Sequence, residues 1–338
     1  MDDEHRNFWN SKIGVGRVNR SHSEILLHTF AVMEGFFNPD KHRIEELSLL
    51  YKEQMKNKDT KELKDFLSRI YQIADVYYKI PRFSNETLIE YDWKIRFYHI
   101  IDKTDTNTVL PLILFLIDKL KSNENLLKEC FYILELLILC NADTKDYNKF
   151  FAKLIRDISK KSANDYPSII KKEIIDKYGS AFNAKTIEEW LNYIDNGDAK
   201  LLLFWIELYR EDKEKDYKDK TIGLQYVYQL EHLMPQEWQT NWVNIGKDDE
   251  NAERLIYQIG NMTLLKGGLN KSLKNKSWNI KLNGDGRARN YIKKNVDLLI
   301  TRELLDKIEW NATEIETRTK NLIKDFFEIW DIEKLTND

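Results

Sequence analysis

The chain has 338 residues, 42% hydrophobic and 32% charged, with a formal net charge of −3. This is length enough for two domains and the balance of a globular protein in water. It excludes a membrane span, because the longest apolar run, VLPLILFLI at 109–117, falls short of the roughly 18 residues that crossing needs.

The first residues, MDDEHRNFWN, are acidic and polar and do not read as a signal peptide. Within FWNSKIGVGR, residues Phe8, Trp9 and Ile13 are expected to dock as an arm on the first helix. Gly14 and Gly16 make a Gly-x-Gly, but no preceding strand and no Lys-Ser/Thr end accompany it, so it is a weak phosphate loop. Residues 21–36 predict a helix capped by Ser21 or Ser23, with Ile25, Leu26, Phe30 and Met33 on one face. His22 and His28 lie six apart rather than three or four, which favours a structural role over a helical metal pair. Asn38-Pro39-Asp40 is a turn, followed by amphipathic helices at 41–57 and 60–80.

Further helices are predicted over 84–103, 104–120, 122–141 and 144–161. His99 sits among aromatics and reads as a core group, and Pro111 falls in a first helical turn, where proline is tolerated. Cys130 and Cys140 are the only cysteines and read as buried thiols. They cannot make a four-thiolate zinc site, and a reduced, cytoplasmic protein is expected. Tyr166-Pro167 marks a boundary, after which 168–178, 184–194 and 199–210 predict short helices and 211–220 a charged linker.

The segment from about 221 changes character. YVYQLEHLM suits a strand, NAERLIYQIG a helix ended by glycine, NMTLL a second strand, and LNKSLKNKSWNIK at 269–281 a helix. Trp238 and Trp242, on the intervening loop, are expected to pack over the motif rather than stack on bases. The tail, 300–334, predicts two amphipathic helices carrying Trp310, Ile315, Leu322, Phe326 and Trp330.

Residues 226–281 hold a constellation suited to phosphodiester cleavage. That reaction needs a base for the attacking water, a cation for the developing charge and positive groups for the polyanion. His232 can serve as the base, since imidazole titrates near neutrality. Glu231 and Asn270 can offer hard oxygens to Mg²⁺ or Mn²⁺, which use only one or two protein ligands. Neighbours on a strand point to opposite faces, so Glu231 and His232 converge only if the strand ends or bends there, as Pro235 suggests. From 266 to 294 nine basic residues face one acid, Asp285. Lys266, Lys271, Lys274, Lys276, Arg287 and Arg289 are the expected DNA contacts within that patch.

EHLMPQ, then GNMTLL, then LN with NKSW after it, resembles the C-terminal nuclease domain of GmrSD-type modification-dependent restriction enzymes. That domain looks like an HNH (ββα-metal, His-Me finger) nuclease. The resemblance implies that His232 is the general base, Glu231 a metal ligand and Asn270 a second one, with Asn261 holding the loop beneath His232. It makes Asn275 a further candidate near the metal. Residues 8–210, including the FW…IGVGR opening, are more loosely similar to the helical region that precedes this nuclease domain. Relatives carry a nucleotide-dependent domain with an Asp-Gly-Gln-Gln-Arg type motif, and none is found here. A sensor domain or subunit is therefore the expected partner of a fragment or of one half of a split system.

The expected fold is mainly α, with a helical domain at 1–165 and a ββα-metal nuclease domain embedded in helices at 166–338. The expected function is metal-dependent cleavage or nicking of foreign or modified DNA in anti-phage defence. The alternative is a partner-dependent or catalytically silent DNA-binding subunit.

Overall fold

The computed structural model describes residues 3–15, 18–140, 143–214, 222–239, 241–242, 249–286 and 290–336. It is mainly helical and divides into two compact units, Met1–Arg82 with Phe97–Gly179, and Phe83–Arg96 with Ser180–Asp338. The expected division at 165/166 falls at the start of the helix Tyr166–Tyr178, whereas the units part after Gly179.

In the first unit, helices start where side chains can satisfy the free N–H groups of a first turn. Ser21 and Glu24 form a reciprocal capping box that opens the helix His22–Met33. Asp59 and Glu62 do the same for Thr60–Tyr78. The helix Leu110–Leu120 buries residues 112–116 on every side, which is why its sequence is apolar throughout rather than striped. The arm is structured: a helix, Asp3–Asn10, leads into an antiparallel hairpin of β1 (Lys12–Val15) and β2 (Val18–Ser21). Phe8 stacks on His22 at 4.2 Å, and His22 Nδ1 meets the Tyr77 hydroxyl at 2.7 Å. Gly14 has a steric reason: a Cβ there would lie 2.6 Å from the Asp105 carboxylate. Its carbonyl accepts from Asn107 Nδ2 at 2.8 Å. Gly16 lies outside the described residues.

The second unit contains a strand within the span 84–103 expected to be helical. The helix expected over 84–103 starts only at Trp93 and runs to Thr104. Leu88–Glu90 is β3, antiparallel to β4 (Gly223–Gln225), with Ile89 opposite Leu224 and fully buried. The helix Asn196–Glu214 runs through this unit with residues 201–208 buried. It packs on a second antiparallel pair, β5 (Gln229–His232) and β6 (Met262–Leu265), and on the helix Ala312–Ile329. The expected helix over 269–281 is two short ones, Gly267–Leu273 and Trp278–Asn283. Lys274 breaks it, with φ at 43°.

Candidate active site

β5 presents the candidate residues, and two asparagines from distant segments fix its end. Asn261 is fully buried. Its Oδ1 accepts from Met234 N at 2.8 Å and Trp310 Nε1 at 3.1 Å. Its Nδ2 donates to the carbonyls of Met234 and Ile256 at 2.9 and 3.1 Å. Its own carbonyl takes Leu233 N at 2.8 Å. Both polar atoms of this side chain bond Met234, in the loop after His232. Asn270, from the helix Gly267–Leu273, donates Nδ2 to the Leu230 carbonyl at 3.1 Å. Asn270 therefore holds the strand that carries Glu231 and His232, and Asn261 holds the loop that follows it.

Beneath Asn261, the turn Ile259–Asn261 is gripped by the helix Ala312–Ile329. Buried Arg318 donates to the carbonyls of Gly260, Met262 and Ile300 at 2.7, 2.6 and 2.8 Å, and pairs with Glu303. Glu303 also pairs with Arg210 at 2.9 Å. Buried Glu207 accepts from Leu299 N and Ile300 N at 2.7 and 2.8 Å. The Thr263 and Thr301 hydroxyls meet at 2.8 Å. The site is thus braced from behind by charge and hydrogen bonds, not by apolar packing alone.

His232 is the last residue of β5. Its ring lies edge-on to Tyr257 at 6.2 Å, and its Nε2 is buried without a hydrogen-bond partner. Leaving such an atom unpaired costs about 1–3 kcal/mol unless water or a ligand meets it. Burial first, and the nearby Lys281 charge second, lower its pKa to about 4. The imidazole is therefore neutral at pH 7, the form in which a base is needed.

Glu231 has a partner that the sequence did not signal. Glu231 alternates with Gln229, whose side chain Asn270 Nδ2 meets at 3.5 Å, and β5 ends at His232. Glu231 Oε1 accepts from Lys281 Nζ at 2.6 Å, and the same ammonium donates to the His232 carbonyl at 2.9 Å. Lys281 has no exposed surface. Burial raises the Glu231 carboxyl and lowers Lys281, and their mutual attraction opposes both shifts. Lys281 belonged by sequence to the basic run, yet it is interior and contributes nothing to a surface patch.

Of the other basic candidates, Lys266 is exposed and pairs with Asp297 at 2.7 Å. Lys271 and Lys274 are exposed and Lys276 half-buried. Arg287 and Arg289 lie outside the described residues. Asn275 is bonded to Glu237. Trp238 and Trp242 are core residues, with Trp242 Nε1 donating to the Lys276 carbonyl at 3.3 Å.

The donor chemistry fits a hard divalent cation in kind. Glu231 and Asn270 share a face and offer a carboxylate and a carboxamide oxygen, and Mg²⁺ needs only one or two protein oxygens. Asn270 uses its nitrogen on the strand, which leaves Oδ1 as its ligand atom. Among the described residues no group of three or more His, Cys, Asp or Glu side chains could hold a metal ion, so any ion here keeps water or phosphate in its other positions. No described helix is long and apolar enough to cross a membrane.

No curated protein matches the chain. The family model of the GmrSD restriction endonucleases, C-terminal domain, matches residues 145–325, a span that includes β5, β6, both asparagines, Lys281 and Arg318. Over more than half its length, then, this chain is a member of the GmrSD restriction endonuclease C-terminal domain family.

Proposed function

We propose that the chain hydrolyses phosphodiester bonds of DNA with an HNH-type site in which His232 is the general base. The single observation that carries this reading is the His232 imidazole, neutral and without a partner at Nε2, standing at the end of a strand that Asn270 bonds and before a loop that Asn261 bonds. The imidazole takes a proton from water, the hydroxide attacks phosphorus, a phosphorus–oxygen ester bond breaks, and solvent protonates the leaving oxygen. Asn261 keeps the loop after His232 in place during this exchange. Lys271 and Lys274, exposed beside the site, attract the DNA backbone. Glu231 and Asn270 would hold Mg²⁺ or Mn²⁺, which stabilises charge on the phosphate and the leaving oxygen.

Supercoiled plasmid with Mg²⁺ tests the reading, beside a His232→Ala chain and an EDTA control. Nicked or linear product from the wild type alone is expected. Equal cleavage by His232→Ala overturns it.

A second reading is favoured by the ion pair of Glu231 with Lys281, which engages the carboxylate. In it, the chain cuts only with a partner, such as a nucleotide-dependent sensor subunit of an anti-phage system. Product that appears only when a partner is added would select it.

A further inference from the structure

We propose that Lys281 is a built-in counter-ion of the cation site, which keeps a divalent ion out of the free protein and admits one only together with a DNA phosphate. This rests on the proposed function and adds a control to that same site.

The ammonium sits where a cation would answer Glu231. It touches Oε1 at 2.6 Å and the His232 carbonyl at 2.9 Å, and its side chain is wholly enclosed. Its stem rises from the helix Trp278–Asn283, whose Trp278 is buried and donates Nε1 to the Lys307 carbonyl at 3.0 Å. The lysine therefore has no room to swing into water as a surface lysine does.

Charge decides the rest. Glu231 and Lys281 cancel, and Asn270 is neutral, so in the free protein these three side chains offer a divalent ion no net attraction. An ion bound to Glu231 would sit about 2.1 Å from a carboxylate oxygen, hence within a few ångströms of the ammonium. Repulsion at that range is many times stronger in a protein interior than in water. Among the described residues no group of three or more His, Cys, Asp or Glu side chains could hold a metal ion. The negative charge that tips the balance must arrive with the substrate, as a backbone phosphate. The ion and the DNA then bind as one event.

Mn²⁺ binding, read by the electron paramagnetic resonance of the free ion, tests this without reference to cleavage. Lys281→Met should bind Mn²⁺ about tenfold or more tightly than the wild type, because the competing charge is gone. Lys281→Arg, which keeps the charge, should bind as the wild type does. Adding a DNA duplex to His232→Ala, which holds the DNA uncut, should tighten Mn²⁺ by a similar factor. Unchanged affinity in a folded Lys281→Met overturns the proposal. If that variant does not fold, the duplex arm decides, and no tightening by DNA overturns it. The outcomes separate from those of the functional reading. Mn²⁺ that binds Lys281→Met tightly, and equally so after Glu231→Gln is added, removes Glu231 from the proposed ion site. Absence of binding in every arm overturns both the metal assignment and the counter-ion.

Discussion

Arg318 Nη1 donates to the Gly260 carbonyl at 2.7 Å, from the same stretch of helix that closes over Gly260. A Cβ at position 260 would stand 2.3 Å from the Ile315 carbonyl and from Thr319 Oγ1. Helix and turn are therefore fitted with no space between them. Gly260→Ala should lower stability by about 3 kcal/mol, since the obstruction is backbone that cannot rotate away. Urea unfolding reads it, and an unchanged midpoint would refute the close approach.

Arg318→Met would leave three carbonyls without a donor and Glu303 short of one partner. Breaking a buried charged network from one side costs about 3–5 kcal/mol. The expected result is a chain that unfolds at much lower urea. A loss under about 1 kcal/mol would mean that water replaces the guanidinium there.

Glu207 titrates in an unusual place. Burial raises its carboxyl to about 7, against the pull of the Leu299 and Ile300 amides. A carboxyl raised above its unfolded value of 4.5 binds protons better in the folded state. Its contribution to stability is full below pH 4.5 and is lost as the pH rises through about 7. Glu207→Gln cannot titrate. The stability of the wild type relative to this variant should fall between pH 5 and 8, and a pH-independent difference would contradict the shift.

The lowered His232 pKa makes a kinetic prediction. If this imidazole is the base, cleavage should stay flat as the pH falls through the ordinary histidine range and decline only toward about 4. Plasmid nicking from pH 5 to 8 measures this. A half-maximal rate near 6.5 would assign the titration to a group in water.

Salt dependence should separate surface lysines from the buried one. Lys271→Ala and Lys274→Ala should each reduce the slope of log affinity for DNA against log salt by about 1. Lys281→Met should leave that slope unchanged. A drop with Lys281→Met would place its ammonium on a phosphate.

The helices were legible because their starts and stripes are local. Ser21 with Glu24, and the 3.6-residue spacing of Ile25, Phe30 and Met33, lie within a few turns of chain. The β5–β6 pair was legible for the same reason, each strand being a short apolar and aromatic run between breakers. Lys281 was not. Nothing near it distinguishes it from Lys276 or Lys274, and its burial is dictated by a carboxylate fifty positions earlier. β3 failed likewise, since Leu88–Glu90 is held straight by a strand more than a hundred residues on. Lys274 hid the break in the expected 269–281 helix because positive φ is not written in a lysine. His232, Asn261 and Asn270 could be named from their order in a motif, but the bonds that hold β5 and the loop after it come from folding.

The pairing of Leu88–Glu90 with Gly223–Gln225 gives the second unit a debt to the first third of the chain. A fragment beginning at Ser180 would carry the whole candidate site and still lack its own edge. Gly223–Gln225 would stand open, with an apolar slot where Ile89 belongs. Bare strand edges recruit other chains. Such a fragment should aggregate, and supplying residues 83–96 as a separate peptide should suppress the aggregation.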